Sequence, residues 1–414
     1  MSAVIPPLRS RTRCLALGAT VALALGGLAG CSGGGGSGAG DLDGGLTGEP
    51  IVVGLLNQED APLGSFPDLR KGAEAAVKHV NADLGGVGGR PIRIQACATR
   101  GTAESSQACA TKLVGGRPVA VIGGVDLGSA ASLPVLEDAA IPYIGSLPQL
   151  GEELTSDGAY MLAGGTVADL LGQADYALDV LQAKRIGALY VDLPGVLTTV
   201  VRAAETVLRV RGATDVKLVP ARADEADFTP ALKAATAGNP DVVFVVFPAQ
   251  ACARIMQAGQ ALGVKAALFF PSACAQRTVV EAAGDAAEGA YFGSAYLPFA
   301  DLSPEVEVWR SRTDSESVLS QAGFGAVMNV HRLLTEVAGP TAVDPTPAAM
   351  SAALDASRDH PGYMTHPYTC DGKQVPIMTA VCNPFIRILR YTDGNFDDVV
   401  GDWVDGADLV KLFG

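Results

Sequence analysis

The feature that most constrains how this chain can fold is an alternation of short apolar runs with helical segments, which starts near residue 50. The run at 51–56 has the composition of a buried strand, and the next segment places its apolar side chains on one helical face. Further strands are predicted at 91–96, 119–122 and 142–145, each separated from the next by a helical segment. Strands that alternate with helices form a parallel sheet with helices on both faces.

The same alternation restarts after Gly164 and Gly165. Strands are predicted at 185–191 and 242–247, and Thr229 is predicted to cap a helix whose first turn contains a proline. The tail, at 385–400, has the pattern of a hairpin with Asp-Gly as its turn. Ligands of such sheets bind outside the C-terminal ends of the strands, so two lobes that face each other form a cleft.

The predicted fold class is therefore α/β, with two doubly wound parallel-sheet lobes and a ligand cleft between them. A length of 414 residues agrees with two domains, and 48% hydrophobic residues provide enough apolar side chains for their cores.

The first thirty residues have the organisation of an export signal. Arginines at positions 9, 11 and 13 precede an apolar run at 14–28, which is shorter than the roughly 20 residues of a transmembrane helix. The run ends in Leu-Ala-Gly-Cys, which resembles the lipobox of bacterial lipoproteins. Residues 1–30 are therefore predicted to be a signal peptide and Cys31 to be lipidated. The alternative is an ordinary cleaved signal followed by a chance cysteine.

A Gly-rich segment follows Cys31, as expected of a flexible tether between a lipid and a folded body, so 31–49 is assigned to the anchor and tether. The predicted location is extracytoplasmic, on the cell membrane. The chain has 30 Lys and Arg against 44 Asp and Glu, a net charge of −14, and removal of the signal makes it 27 − 44 = −17. A nucleic-acid partner is excluded because such proteins need the opposite charge.

Six cysteines remain after the signal and the lipidation site. They form three close pairs in sequence, which are Cys97 with Cys109, Cys252 with Cys274 and Cys370 with Cys382. An even number in an exported protein indicates disulfides, although six cysteines allow 15 connectivities and the pairing of neighbours follows from spacing only. Buried free thiols are the alternative. No C-x-x-C motif supports a zinc site, so no metal is predicted.

Motifs of catalysis are missing from the sequence. It contains no G-x-x-x-x-G-K-[ST] loop for a nucleotide and no G-x-S-x-G nucleophile elbow. Its four histidines have no metal-ligand spacing. We therefore expect a protein that is not an enzyme and has no cofactor, with a secreted α/β enzyme as the least favoured alternative.

Several segments resemble one family in order and spacing. The stretch at 80–92 (VNADLGGVGGRPI) resembles the N-x-x-GG-x-x-GRPI motif of solute receptors with the type I periplasmic-binding-protein-like fold, in their Leu/Ile/Val-binding branch. The segments 119–124 and 134–143 resemble the second signature of that family. Later blocks correspond to 228–232, 240–243 and 284–289. The resemblance extends from about residue 50 to residue 414.

This resemblance implies a monomeric lipoprotein that captures an amino acid or similar small polar solute and presents it to an ABC permease. It also implies three crossings between the lobes, near 164–165, 291–294 and 382–384. The lobes would then be 50–164 with 293–382, and 165–292 with 383–414. Two alternatives remain, namely a sensing lipoprotein that reports to a signalling partner and a receptor for an amide, urea or a small carboxylate.

The resemblance also implies the positions of ligand contacts. In the N-terminal lobe these are Asp126, Gly128 and Ser129 in one loop and Ser146 and Gln149 in the next. Ser129, at a helix start, suits an anion, whereas the carboxylate of Asp126 favours a cation or a hydroxyl donor.

In the C-terminal lobe the corresponding positions are Leu193, Pro248 and Ser272. Leu193 stands where the family has an aromatic residue, and Ser272 lies where an acid often binds the ammonium group. The alternative for each loop residue is a capping or turn role. A Cys252–Cys274 bridge would join two neighbouring cleft loops of this lobe.

Overall fold

The computed structural model describes residues 44–408, apart from 60, 62–63, 150, 193–196 and 340–342. The described residues all belong to one compact unit, 40–414. The predicted signal peptide, Cys31 and most of the predicted tether lie outside the described residues, as does Leu193.

In the part of the chain that the structure describes, the first sheet has five parallel strands in the order β2-β1-β3-β4-β5. These strands are β1 Ile51–Gln58, β2 Ile92–Thr99, β3 Val121–Gly123, β4 Tyr143–Gly145 and β5 Ala159–Met161. The helices between them are α1 Pro67–Asp83, α2 Ala103–Gly115, α3 Ser129–Asp138 and α4 Gly151–Thr155. The strands expected near 51, 91, 119 and 142 are confirmed, whereas the sequence did not indicate the three-residue strand β5.

The second sheet has eight strands among the described residues, five of them parallel in the order β10-β9-β8-β6-β7. The strands are β6 Arg185–Val191, β7 Asp215–Ala221, β8 Val242–Val246, β9 Ala267–Phe270, β10 Tyr291–Ser294, β11 Phe385–Thr392, β12 Asn395–Asp398 and β13 Val404–Asp405. The helices of this lobe are α5 Gly165–Asp179, α6 Leu197–Val210, α7 Thr229–Ala235, α8 Ala249–Leu262 and α9 Arg277–Ala283. Short 3₁₀ turns lie at Ser272–Cys274 and Gly284–Ala287.

The predicted hairpin is confirmed as β11 and β12, which pair antiparallel at one edge of the second sheet. Asp393 and Gly394 both have positive φ angles, 50° and 84°, which a two-residue hairpin turn of this kind requires.

Three helices return the chain to the first lobe, namely α10 Pro304–Thr313, α11 Val318–Ala338 and α12 Pro347–Ala356. Glycine allows α11 to pack directly on α1, because a Cβ on Gly72 would lie 2.2 Å from the carbonyl oxygen of Ser320. A Cβ on Gly323 would lie 1.8 Å from the carbonyl oxygen of Leu69. The two helices therefore meet backbone against backbone.

Within the described residues, the chain passes between the lobes three times: before α5, after β10 and before β11. Gly293 and Ser294 pair with Ile388 and Arg387 of β11, so both residues lie in the second sheet. The sequence prediction assigns them to the first lobe. The exact residue at which a strand ends and the chain crosses to the other lobe has no distinctive composition.

The predicted cap of α7 is wrong. Thr229 is the first helical residue, and its backbone N–H donates to Oδ1 of Asp227 at 2.8 Å. The side-chain oxygen that accepts a hydrogen bond from the start of α7 is therefore that of Asp227, and not that of Thr229 as predicted. Its short carboxylate can reach an amide two residues further along the chain.

The three cysteine pairs are bonded as neighbours in sequence. The Cα–Cα distances are 5.6 Å for Cys97–Cys109, 6.2 Å for Cys252–Cys274 and 4.4 Å for Cys370–Cys382. The first bridge ties β2 to α2, and the second ties α8 to the 3₁₀ turn after β9.

Candidate ligand-binding cavity

A cavity of about 70 Å³ lies between the two lobes, at the C-terminal ends of their strands. The first lobe contributes the segments that follow β3 and β4, together with the residue before α1. The second lobe contributes the ends of β6 and β8, the segments after β7 and β9, and the start of α5. The lining residues are Phe66, Val125, Leu127, Leu147, Gln149, Thr166, Val191, Ala223, Val246, Phe247, Pro248, Pro271, Ser272 and Ala273.

This lining is mostly apolar. Among its described members, only Gln149, Thr166 and Ser272 have polar side chains, and none has a charged one. A buried charge without a partner is costly, whereas apolar surface is favourably removed from water. The main body of a molecule bound here is therefore expected to be apolar.

Asp126 lies in the first lobe, but its side chain does not line this cavity. The residue is fully buried, and its Oδ1 accepts hydrogen bonds from the hydroxyls of Thr99 and Ser106, both at 2.8 Å. The backbone N–H of Gly128 donates to the same oxygen at 3.1 Å. Burial raises the pKa of Asp126, and the three donors partly oppose that shift. Its carboxylate organises the loop before α3.

The neighbouring predicted residues are also absent from the cavity lining. A Cβ on Gly128 would lie 2.3 Å from Oγ of Ser106, so this residue allows the loop to pack against α2. Ser129 is fully buried at the start of α3 and is not in the lining. The hydroxyl of Ser146 donates to the carbonyl of Gly123 at 2.9 Å, which joins the ends of β3 and β4.

Gln149 lines the cavity and also joins the lobes. Its backbone N–H donates to Oε2 of Glu153 at 2.7 Å, and its side-chain amide donates to the carbonyl of Leu147 at 2.9 Å. Its Oε1 accepts a hydrogen bond from the hydroxyl of Thr166, in the first turn of α5, at 3.0 Å. A first-lobe residue and a second-lobe residue therefore meet beside the first crossing.

Pro248 and Ser272 line the cavity from the second lobe, on segments that the Cys252–Cys274 disulfide connects. Both cysteines are fully buried. The backbone N–H of Ser272 donates to Oδ2 of Asp169 in α5 at 3.0 Å, which orients the turn after β9.

The structure thus brings Gln149, Pro248 and Ser272 together and leaves Asp126, Gly128, Ser129 and Ser146 outside the lining. Sequence reasoning missed most of the apolar wall, including Phe66, Leu127, Leu147 and Phe247. The available signal was position, because Leu127 and Leu147 lie in the loops that follow the predicted strands 119–122 and 142–145, and Phe247 is the last residue of the predicted strand 242–247. Apolar residues at such positions have the same composition as core residues, so composition does not distinguish them.

The described residues form two α/β lobes, which are joined by three crossings and enclose a cavity at their strand ends. This arrangement defines a two-lobe solute-binding protein. The sequence matches the family described as periplasmic binding protein over residues 50–376, most of the chain, so the chain belongs to this family. The family resemblance predicted from sequence motifs is confirmed. This is a family of binding proteins rather than of enzymes.

Solved structures show the same fold at low sequence identity. A leucine-binding protein from Thermotoga maritima has a TM-score of 0.70 and 17% identity, over 86% of this chain and 99% of that one. A fatty acid ABC transporter substrate-binding protein from Thermomonospora curvata has a TM-score of 0.74 and 16% identity, over 89% and 95%.

An ABC transporter solute-binding protein from Rhodopseudomonas palustris, in complex with 3,4-dihydroxybenzoic acid, has a TM-score of 0.70 and 17% identity, over 87% and 98%. No curated protein sequence matches the chain significantly. In the part of the chain that the structure describes, no helix combines the length and apolarity needed to cross a membrane.

Proposed function

We propose that this protein is the extracytoplasmic receptor of an ABC importer, anchored by a lipid on Cys31, and that its lobes close around a small solute with an apolar body. In this proposal the first lobe comprises 50–164 and 295–382, and the second comprises 165–294 and 383–414. Family membership supports the receptor role. The lipobox-like sequence at 28–31 supports the anchor.

The apolar cavity lining is the observation on which the choice of solute rests. A free amino acid has an ammonium and a carboxylate, and each needs a partner once the lobes exclude water. No described lining residue is a cation that could hold the carboxylate. The cavity therefore favours a solute less polar than the amino acid that the sequence resemblance implied.

The similar structures support an apolar body without defining its polar end. One is a leucine-binding protein, one belongs to a fatty acid ABC transporter and one is in complex with 3,4-dihydroxybenzoic acid. These three molecules share a hydrocarbon part and differ in their polar groups. The polar end must therefore be inferred from residues of this chain.

Thermal unfolding of the exported protein, followed by tryptophan fluorescence, tests the proposal. The panel contains leucine, isoleucine and valine, branched and aromatic amines, alcohols and carboxylates, and sugars and urea as polar controls. A solute at about 1,000 times its dissociation constant stabilises the native state by roughly 4 kcal/mol. Stabilisation by sugars or urea alone would contradict the apolar cavity.

Two further measurements separate the parts of the proposal. Uptake of the identified solute should be lost in cells that lack the protein and return when it is restored. A sensing role would instead leave uptake unchanged. The Cys31→Ala variant should move the protein from the membrane fraction to the soluble exported fraction.

A further inference from the structure

A second, much smaller cavity adjoins the first and shares three of its wall residues, Thr166, Val246 and Pro271. Its volume is about 10 Å³, and α5 contributes Asp169 and Gln173 to its wall. A cavity of this size holds about one water-sized group. We call this space the annex. It can receive a small polar group such as an ammonium or a hydroxyl.

Asp169 is the unusual residue of the annex. It lies in the second turn of α5, and only 1% of its surface is exposed. Its Oδ2 accepts the hydrogen bond from Ser272, whereas its Oδ1 has no hydrogen-bond partner among the described residues. Asp169 lines the annex, and buried carboxylate oxygens are usually satisfied by donors, so its unpartnered oxygen indicates a missing donor.

The surrounding chain leaves room for this carboxylate. A Cβ on Gly293 in β10 would lie 2.8 Å from Oδ1 of Asp169 and 2.5 Å from Nε2 of Gln173. The amide of Gln173 is directed elsewhere, because it donates to the carbonyl of Phe270 at 3.0 Å. Glycine at 293 therefore accommodates the two polar side chains without supplying a donor to Asp169.

The charge of Asp169 is also uncompensated. Among the described residues that line the cavity or the annex, it is the only charged one. Desolvation raises its pKa to about 6, and the hydrogen bonds from Ser272 only partly oppose this shift. A positively charged or hydroxylated group in the annex would supply both the missing donor and favourable electrostatics.

We propose that Asp169 determines the polar end of the solute by accepting a hydrogen bond from a primary ammonium or a hydroxyl group in the annex, with the ammonium preferred. The apolar body of the solute then fills the larger cavity, so this inference rests on the proposed function. A solute that ends in a carboxylate is disfavoured, because its charge and that of Asp169 repel each other.

Three probes with one branched hydrocarbon body test this inference: 3-methylbutylamine, 3-methyl-1-butanol and 3-methylbutanoate. Their affinities for the exported protein are measured by calorimetry at pH 8, where Asp169 is ionised. We expect the amine to bind most tightly, the alcohol less tightly and the carboxylate least. Equal or tighter binding of the carboxylate would overturn the role of Asp169 and leave the apolar-solute proposal intact.

The isosteric variant Asp169→Asn provides the second arm. It should weaken binding of the amine roughly thirtyfold, the scale of a lost hydrogen bond to a charged group, and should not weaken binding of the carboxylate. The matched control is Asp175→Asn on the same helix, where the carboxylate pairs with Arg211 away from both cavities. This control should leave all three affinities unchanged.

Unchanged binding of the amine to Asp169→Asn would mean that the annex holds only water, and would overturn the inference. Failure of all three probes to bind the unmodified protein would overturn both the apolar-solute proposal and the inference that depends on it. Circular dichroism and the unfolding midpoint establish that each variant is folded before its affinities are compared.

Discussion

Removal of the Cys252–Cys274 disulfide should affect both the stability and the binding site of this protein. The bridge joins the first turn of α8 to the 3₁₀ turn after β9, and each of these elements adjoins a lining segment. The cysteines are 22 residues apart, so loop-closure entropy predicts a loss of about 3 kcal/mol for the double variant Cys252→Ala/Cys274→Ala.

The same variant should bind solute less tightly. Without the bridge, the residues before α8 and those at Ser272–Cys274 are no longer held together. Ordering one additional residue of backbone costs about 1–2 kcal/mol, and 1.4 kcal/mol is tenfold in affinity. We therefore expect the dissociation constant of the tightest-binding solute to rise about tenfold.

The Cys97–Cys109 bridge provides a matched control, because it lies in the first lobe and neither of its cysteines lines the cavity. Its removal by the same double alanine substitution should also cost about 3 kcal/mol of stability. Urea denaturation measures the stability of both variants, and calorimetry measures their affinities. If the Cys252→Ala/Cys274→Ala variant kept its affinity as the control does, the second bridge would stabilise the fold without organising the cavity.

Three further substitutions have clear expected outcomes. Asp169→Asn should stabilise the protein at pH 8 by up to about 3 kcal/mol, because the carboxyl has a pKa of about 6 in the folded protein and 3.8 as its ordinary value. Between these two pKa values the native state binds more protons than the unfolded state, so the free energy of unfolding of the unmodified protein should fall as the pH rises from about 4 to about 6. Denaturation of the two proteins at a series of pH values measures this difference. Gly72→Ala should destabilise by about 1–3 kcal/mol, because the new Cβ would collide with the Ser320 carbonyl, although the same change in an exposed helix would be stabilising. Gly293→Ala should displace the Asp169 and Gln173 side chains and weaken binding of 3-methylbutylamine while leaving the fold intact, which calorimetry and circular dichroism can check together.

Much of the fold could be predicted from sequence, because the relevant signals are local. The apolar run that became β6 and the Asp393-Gly394 turn depend on side chains and backbone angles within a few residues. The disulfide partners were also close in sequence, and the structure pairs them in that way. Repetition of the same strand and helix order then indicated two lobes.

The binding site was harder to predict, because side-chain direction at a strand end depends on what packs behind the loop. Asp126 looked like a ligand contact, but Thr99 and Ser106 hold its carboxylate inside the first lobe. Phe247 is the last residue of the predicted strand 242–247, and it lines the cavity. In a loop, a shift of one residue can turn a side chain from the cavity toward the core. Loops have no hydrophobic periodicity from which this direction could be predicted.

The sequence alone therefore determined the α/β class, the two-lobe organisation and the family, because these follow from hydrophobic periodicity and motif order. Only the tertiary structure decided which residues form the cavity and its annex. Asp169 and Ser272 are 103 residues apart, and they meet because α5 packs beside the turn that follows β9. Contacts of that range depend on strand order and helix packing, which local sequence patterns do not specify.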